Sequence, residues 1–373
     1  ATRWAIRFVG LVNTIILARL LMPEDFGLIA LAMIVVDFID VWLWLGVDAA
    51  LVQKKTLTRA DYNSAWTMRL IQGGLIAVLV AIAAPFAAEF FKEPRIVAIL
   101  WVLAPAIFLT SAANIGIVDF QRAVNFRADF IMLLSSKIFS VVVTIALAFW
   151  LRSYWALVIG IFSGYLATFI ISYIIHPYRP SLCLEKWREF WGFSKWIIVA
   201  NLGGFLNRKT DEILVGKIAS PGLLGIYTIA LDLGQMVTNE LARPINKVLF
   251  PVIANIQEDL ARVKRTYLLT ISGINTVTMP VGVGLALVAE EFVLTILGEK
   301  WLGAVPFLQI FAIYGVLRFT YSGAASVLIA LGRVKTNSLL TWYEASFMVG
   351  LCLLGGYYYE LTGIAYGRAA ASI

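Results

Sequence analysis

The side chains best placed to do chemistry in this sequence are arginines and lysines set among apolar residues. Arg3, Arg7, Gly10 and Asn13 recur at intervals of three and four, so a helix carries them on one face. Asp232, Gln235, Asn239, Arg243 and Asn246 repeat that pattern over about four turns. The densest polar run is Asn207-Arg208-Lys209-Thr210-Asp211-Glu212, in which Arg208 and Glu212 share a face with Asn201. Arg318, then Asn337, Thr341 and Glu344, extend the series. An ionisable group at the centre of an apolar span costs about 2.5–3.5 kcal/mol, so each must meet a partner or a water-filled interior. Arg208 and Glu212, four apart, either neutralise each other or line that interior. Asp37 and Asp40 share a face and read as counter-ions to arginine, with proton or sodium coupling as the alternative. The chemistry on offer is charge recognition in a wet cavity.

Bond-making chemistry is poorly provided for. One histidine, His176, and two cysteines, Cys183 and Cys352, lie far apart in sequence, which argues against a metal centre and against a disulfide framework. His176 precedes Pro177 at the end of an apolar run, a place for an interfacial structural role. Gly282-Val283-Gly284 follows Pro280 inside an apolar stretch, with no strand before it and no completed glycine fingerprint, so it reads as helix packing or a kink. No phosphate-binding loop of the Walker type occurs, and no cofactor is expected.

These groups must be positioned by membrane spans. In 373 residues, 61% are hydrophobic and 14% charged, with a mean hydropathy of +0.85. A soluble chain runs nearer half apolar and a quarter charged, so a water-soluble enzyme is ruled out. At roughly 31 residues per pass the length accommodates about twelve transmembrane helices. Apolar runs predict spans near 4–20, 28–47, 70–88, 96–118, 130–150 and 154–175, then 197–218, 226–250, 267–289, 303–331 and 338–358, with a cut-off twelfth from near Gly363. The net charge of +7 punctuates these runs instead of forming one solvated face, so it reads as membrane orientation and not as a nucleic-acid surface. Loops after the even-numbered spans, with Lys54, Arg59, Arg122, Arg179, Lys186, Arg262 and Arg333 among them, hold about sixteen cations against about six in the opposite set. The first set should be cytoplasmic, and with it the amino terminus. Apolar sequence begins within a few residues of Ala1 and Ile364 to Ile373 is too short to span, so the true termini are expected beyond the given ends.

The two halves resemble each other. Arg19, Pro23 and Gly27 match Lys217, Pro221 and Gly225 at one constant offset, with an even number of spans between them, as parallel repeats require. The expected organisation is all-α: an N-lobe over 1–175, a cytoplasmic interfacial connector over 176–196 and a C-lobe over 197–373, making two six-helix lobes around a central cavity. In the connector, Leu182, Leu184, Trp187, Phe190 and Trp191 alternate with charged residues, which suits an amphipathic helix in the headgroup region or a loop with tryptophan anchors.

Several segments resemble one family. Ile16-Leu17-Ala18-Arg19-Leu20-Leu21-Met22-Pro23-Glu24-Asp25-Phe26-Gly27 and Gly46-Val47-Asp48-Ala49-Ala50-Leu51-Val52-Gln53 are similar to the first two hairpins of the polysaccharide transporters, the O-antigen and colanic-acid type lipid-linked oligosaccharide flippases of the multidrug/oligosaccharidyl-lipid/polysaccharide exporter superfamily. Asp211-Glu212-Ile213-Leu214-Val215-Gly216, Leu224-Gly225-Ile226-Tyr227-Thr228-Ile229-Ala230, Val248-Leu249-Phe250-Pro251 and Ile296-Leu297-Gly298-Glu299-Lys300-Trp301 continue the likeness in order. The resemblance implies two lobes that alternate access between cytoplasm and periplasm in a bacterial inner membrane. It also implies a polyprenyl-diphosphate-linked glycan as substrate, with membrane lipids around it and a glycan polymerase and export machinery as partners in lipopolysaccharide-type synthesis. Arg7, Arg208, Arg243 and Arg318, then Arg3 and Lys209, would neutralise the diphosphate, while Asn13, Gln235 and Asn239 contact hydroxyls. Asp37, Asp40, Asp232 and Glu344 are the candidates for ion coupling. A drug or organic-cation antiporter of the same superfamily would want an acid-dominated cavity. A membrane-embedded glycan polymerase or ligase would show a large external loop, whereas the longest expected here, Glu290 to Ala304, has about fifteen residues. A lipid-binding scaffold without transport is disfavoured by the internal repeat.

Overall fold

Apolar runs of this length become helices in lipid because every backbone N–H and C=O must be satisfied inside its own segment. The structure, a computed structural model, describes residues 2–371 except 45, 55 and 124–125; the side chains of 2–5, 49, 126, 129, 190–200, 237–244, 246–247, 321–322 and 334 also lie outside the described residues. No strand occurs among the described residues. The long helices are α1 (Thr2–Leu20), α2 (Pro23–Leu43), α3 (Arg59–Phe91), α4 (Arg95–Ser111), α5 (Phe126–Leu151), α6 (Trp155–Ile175), α7 (Trp187–Ile218), α8 (Pro221–Asn255), α9 (Leu260–Leu287), α10 (Val305–Ser322) and α11 (Val334–Ala370). Inside α11, Tyr359 and Glu360 leave helical geometry, so the helix has two limbs, and the second contains the twelfth span expected from near Gly363.

Seven stretches are long and apolar enough to cross a membrane among the described residues, and α4 makes an eighth with the bent continuation Ile115–Arg122, set at 60°. The long helices outside that set, α1, α7 and α8, are those whose sequences carry the arginine-rich polar stripes. Their polar faces dilute the mean hydropathy without shortening the helix. The protein is therefore a multi-pass, all-α membrane protein. The repeated turns coincide in register: Pro23 and Pro221 each stand in the first turn of a helix, where a missing N–H costs nothing, and Gly27 and Gly225 are both buried. The stretch expected as an external loop, Glu290 to Ala304, is instead helical through Ala289–Phe292, Val293–Leu297 and Glu299–Ala304, with Trp301 fully buried.

The chain divides into two compact units, Ala1–Leu202 and Gly203–Ile373, with α7 running from one into the other. In the first, α3 packs on α4, α5 on α6 and α1 on α5. In the second, α10 packs on α8, α9 and α11. There Gly282 lies against α10, where a Cβ would run into the Val316 side chain, so Gly282 serves packing, whereas Gly284 faces open space.

The connector does not form a separate interfacial helix. The chain runs without helix from His176 until α7 begins at Trp187, and the rest of the expected stretch is the start of that long helix. This segment is fastened to the first turns of α3. Asn63 Oδ1 accepts from Tyr178 Oη at 2.6 Å and from Ser181 N at 3.0 Å, while its Nδ2 donates to Ser181 Oγ at 2.7 Å. Cys183 N donates to Thr67 Oγ1 at 2.9 Å and Lys186 N to Ser64 Oγ at 3.1 Å. Asn63, Ser64 and Thr67 are buried, so their polar atoms need these partners. His176 takes the structural role expected of it. Its Nδ1 accepts from Tyr178 N at 3.2 Å and its ring meets the Phe120 edge, and burial lowers its pKa, favouring the neutral ring that can accept.

In the second unit the two limbs of α11 approach closely. A Cβ on Gly355 would collide with the Gly363 carbonyl, and one on Gly363 with the Gly355 carbonyl, so the close approach requires glycine. The returning limb delivers Arg368 to Asp211 on α7. Both are buried, at 3% and 0% side-chain exposure, and form an ion pair. Tyr227 Oη donates to the second Asp211 oxygen at 2.7 Å, and Arg368 also donates to the Arg208 carbonyl at 3.3 Å.

Removing one member of a buried ion pair leaves an uncompensated charge and costs about 3–5 kcal/mol, whereas replacing both with apolar residues is often neutral. Asp211→Leu or Arg368→Leu alone should sharply lower the melting temperature in detergent, and the double variant should recover most of it; equal losses in all three would show that the pair does not fasten α11. For the connector, Asn63→Leu strands three donors and acceptors at about 1–3 kcal/mol each. Trypsin should then cut after Lys186 faster than in the wild type, with α3 still folded by circular dichroism.

Candidate functional site

The polar side chains collect into clusters inside each unit. In the second unit, one turn of α7 faces several ways: Asp211 points into the Arg368 pair, Lys209 Nζ donates to Glu212 Oε2 at 2.7 Å, and Asn207 Nδ2 donates to Glu344 Oε2 on α11 at 3.1 Å. The expected pairing of Arg208 with Glu212 does not form. Glu212 points to Lys209, three residues before it, and Arg208 turns outward and is exposed, its guanidinium lying over Gly204, where a Cβ would stand 3.0 Å from Nη1. Lys209 therefore carries less net charge to offer than its position implied.

On α10, Tyr314 joins the remaining cations. Its hydroxyl accepts from Arg318, and its ring lies 5.8 Å from the Arg318 guanidinium carbon and 5.4 Å from that of Arg368. Two guanidinium groups thus share one aromatic ring, an arrangement worth roughly 0.5–2 kcal/mol per contact. Of the two, Arg368 is neutralised by Asp211 while Arg318 is half-buried. Among the described residues no carboxylate pairs with Arg208 or Arg318. Both keep donors for an anion.

In the first unit, Arg7 is exposed on α1 and lies within electrostatic reach of Lys137 on α5. Asn13, two turns further along, has a buried Oδ1 without a hydrogen-bond partner. Asp37 and Asp40 on α2 interact with each other and with Tyr165 on α6. This gives the unit a basic cluster on α1 and α5 and an acidic one on α2 and α6. On α8, Asp232 is exposed and Gln235 half-buried. Arg3, Asn239 and Arg243, expected at the same site, have side chains outside the described residues.

Arg368, Tyr314 and Tyr227 were not anticipated as part of the site. Arg368 had a signal: it is the sole charge in the apolar stretch from Ile364, and an intramembrane arginine calls for a partner. Tyr227 and Tyr314 read as ordinary aromatic residues until folding brings Asp211 and the two arginines to them. No group of three or more metal-ligating side chains occurs among the described residues.

A set of cations without carboxylate partners, held beside a buried neutral pair, can bind an anion and release it; it offers no nucleophile with an activating base. Known proteins resemble the chain on this scale. The lipopolysaccharide biosynthesis protein WzxC of Escherichia coli (strain K12) is 22% identical over 367 residues, covering 96% of this chain and 74% of its own. The teichuronic acid biosynthesis protein TuaB of Bacillus subtilis (strain 168) is 26% identical, covering 88% and 75%. In fold, the chain is similar to the lipid II flippase MurJ in an inward closed conformation, with a TM-score of 0.80 at 12% identity over 100% of this chain and 84% of that one. It also resembles an inward-facing multidrug resistance MATE family transporter, with a TM-score of 0.73 at 14% identity over 98% and 92%. The profile of one family spans residues 16–306, most of the sequence, and the chain belongs to that family, the polysaccharide biosynthesis proteins.

Proposed function

We propose that the protein is a flippase that moves a polyprenyl-diphosphate-linked oligosaccharide from the cytoplasmic to the periplasmic leaflet for surface polysaccharide synthesis, by alternating access. The observation that carries this reading is the pair Arg208 and Arg318, two guanidinium groups in the membrane-spanning part of the second unit with no carboxylate partner among the described residues. A diphosphate brings the charge they lack, and their donors fit phosphate oxygens. The names of the relatives, lipopolysaccharide and teichuronic acid biosynthesis proteins, and of the lipid II flippase whose fold is similar, support the same substrate class.

The reading includes a bacterial inner-membrane location with a cytoplasmic amino terminus, argued from the excess of Lys and Arg in alternate loops. A glycan polymerase and the export machinery would act on the delivered substrate. Arg7, Arg3, Arg243 and Lys209 would support headgroup binding, with Asn13, Gln235 and Asn239 at the sugars. Cation coupling, if the cycle uses it, belongs at Asp37 and Asp40, which interact with each other and with Tyr165, ahead of Asp232 and of Glu344, which already accepts from Asn207.

The test is leaflet transfer in proteoliposomes of a polyprenyl diphosphate oligosaccharide, read as accessibility to an external lectin. Losing a charge-assisted contact of about 1.5–3 kcal/mol should slow transfer by about tenfold or more in Arg208→Ala and in Arg318→Ala, at unchanged melting temperature. Normal transfer by both variants would reject the cationic site. Proton-driven efflux of an organic cation, with no transfer of any glycan lipid, would favour the antiporter reading.

A further inference from the structure

An apolar groove of about 480 Å³ opens in the first unit. Its walls are Leu43 at the end of α2, Ile71, Gln72 and Leu75 on α3, and Leu184 and Trp187 from the connector and the start of α7. The level of the groove follows from α3. At 33 residues that helix is about 50 Å long, roughly 20 Å more than the hydrocarbon core, and its apolar stretch begins at Leu70. The groove therefore sits where hydrocarbon gives way to headgroups, at the end of α3 that carries the basic loops.

Two features set it apart from an ordinary lipid-facing surface. One wall is not a bundle helix but the connector, held on α3 through Thr67 and Ser64, so an occupant is clasped between two fixed elements. The second is charge at the mouth. Arg188 lies with its guanidinium carbon 5.6 Å from the Trp187 ring and has no carboxylate partner among the described residues, while the neighbouring Lys186 is ion-paired to Glu189 at 3.6 Å.

We infer that this groove is a docking site for the headgroup-proximal part of a single isoprenoid chain, with the attached diphosphate held by Arg188, before the lipid enters the transport cycle. The inference rests on the flippase reading for the identity of the lipid. The stretch from Met68 to Leu75 is about 10 Å long, so it takes one short segment of one chain while the rest stays in the bilayer. A glycerophospholipid would leave its second chain outside the groove. An isoprenyl diphosphate matches the single channel and brings its anion to Arg188.

The experiment uses the purified protein in phosphatidylcholine liposomes with three diazirine-tagged probes: a polyprenyl diphosphate, the uncharged polyprenol and phosphatidylglycerol. Photolabelling followed by peptide mapping should mark 68–75 and 184–188 with the diphosphate. Leu75→Trp, which fills the groove, should cut that labelling by about tenfold. Arg188→Gln, at the surface, should cut labelling by the diphosphate several-fold and leave polyprenol labelling unchanged. Equal labelling by phosphatidylglycerol, or diphosphate labelling that both variants leave intact, overturns the proposal. Leaflet transfer measured in parallel separates the two readings. Transfer by the wild type without groove labelling removes the docking site and keeps the flippase, whereas groove labelling without transfer keeps the docking site and removes the flippase.

Discussion

Ionised groups in hydrocarbon must be paired or hydrated, and the second unit is arranged around how it meets that requirement at Asp211. The carboxylate is fully buried, so it needs Arg368, and Arg368 reaches it because α11 breaks at Tyr359 and Glu360 and returns along itself with Gly355 and Gly363 in contact. Tyr227 takes the remaining carboxylate oxygen. Once Asp211 and Arg368 cancel, the other cations nearby are not needed as counter-ions. Tyr314 holds Arg318 through hydroxyl and ring, and Arg208 turns outward from the same helix. A structural pair thus releases neighbouring charge for binding, which links fold stability to the proposed anion site through the few residues between 207 and 212.

The first unit is stiffened differently. Its polar fastening lies at one end, where Asn63, Ser64 and Thr67 hold the connector and where Asn114 donates to the carbonyls of His176 at 3.1 Å and Tyr178 at 2.7 Å. Lys54 joins this end to the start of α7 by bridging Asp61 at 2.7 Å and Glu189 at 2.8 Å, with both carboxylates raising its pKa. At the other end Arg95 holds Glu24 and Glu93, and its hydrogen bonds keep the Glu93 carboxyl below the ordinary range. Between the ends, packing is by small residues: Gly160 of α6 leaves room for Thr144 of α5, and Ser140 donates to the Gly160 carbonyl at 2.8 Å. A unit tied at its ends and smooth along its length suits rigid-body motion better than internal repacking.

Much of the architecture was legible because in a membrane protein hydropathy, Pro and Gly act locally. The repeat offset of Pro23 and Gly27 with Pro221 and Gly225, and the reading of Gly282 as helix packing or a kink, needed no knowledge of tertiary structure, although the helices begin at Pro23 and Pro221, about five residues before the spans expected from hydropathy. Three things were hidden. The span containing Arg368 looked too short to matter, since nothing local says that a chain reverses at Glu360 with a positive φ of 52°. The partner of Glu212 was expected at i+4 spacing, but Lys209 at three residues reaches it while Arg208 finds room over Gly204, a choice made by side-chain direction and not by spacing. The connector's alternation of apolar and charged residues left an amphipathic helix and a loop with tryptophan anchors both open, because its partners on α3 lie more than a hundred residues away.

These last two cases bear on how a substrate of this kind would be handled. A lipid-linked diphosphate is both a fixed charge and a long apolar chain, so it needs cations at a wet face and an apolar path at the bilayer edge. The second unit supplies the cations through Arg208 and Arg318, while the first supplies an apolar groove whose wall is the connector leading into α7. Residues 187–202 of α7 belong to the first unit and 203–218 to the second. Trp187 and the run Asn207 to Glu212 thus belong to the same helix, so the proposed chain docking and the proposed charge recognition draw on one element of secondary structure.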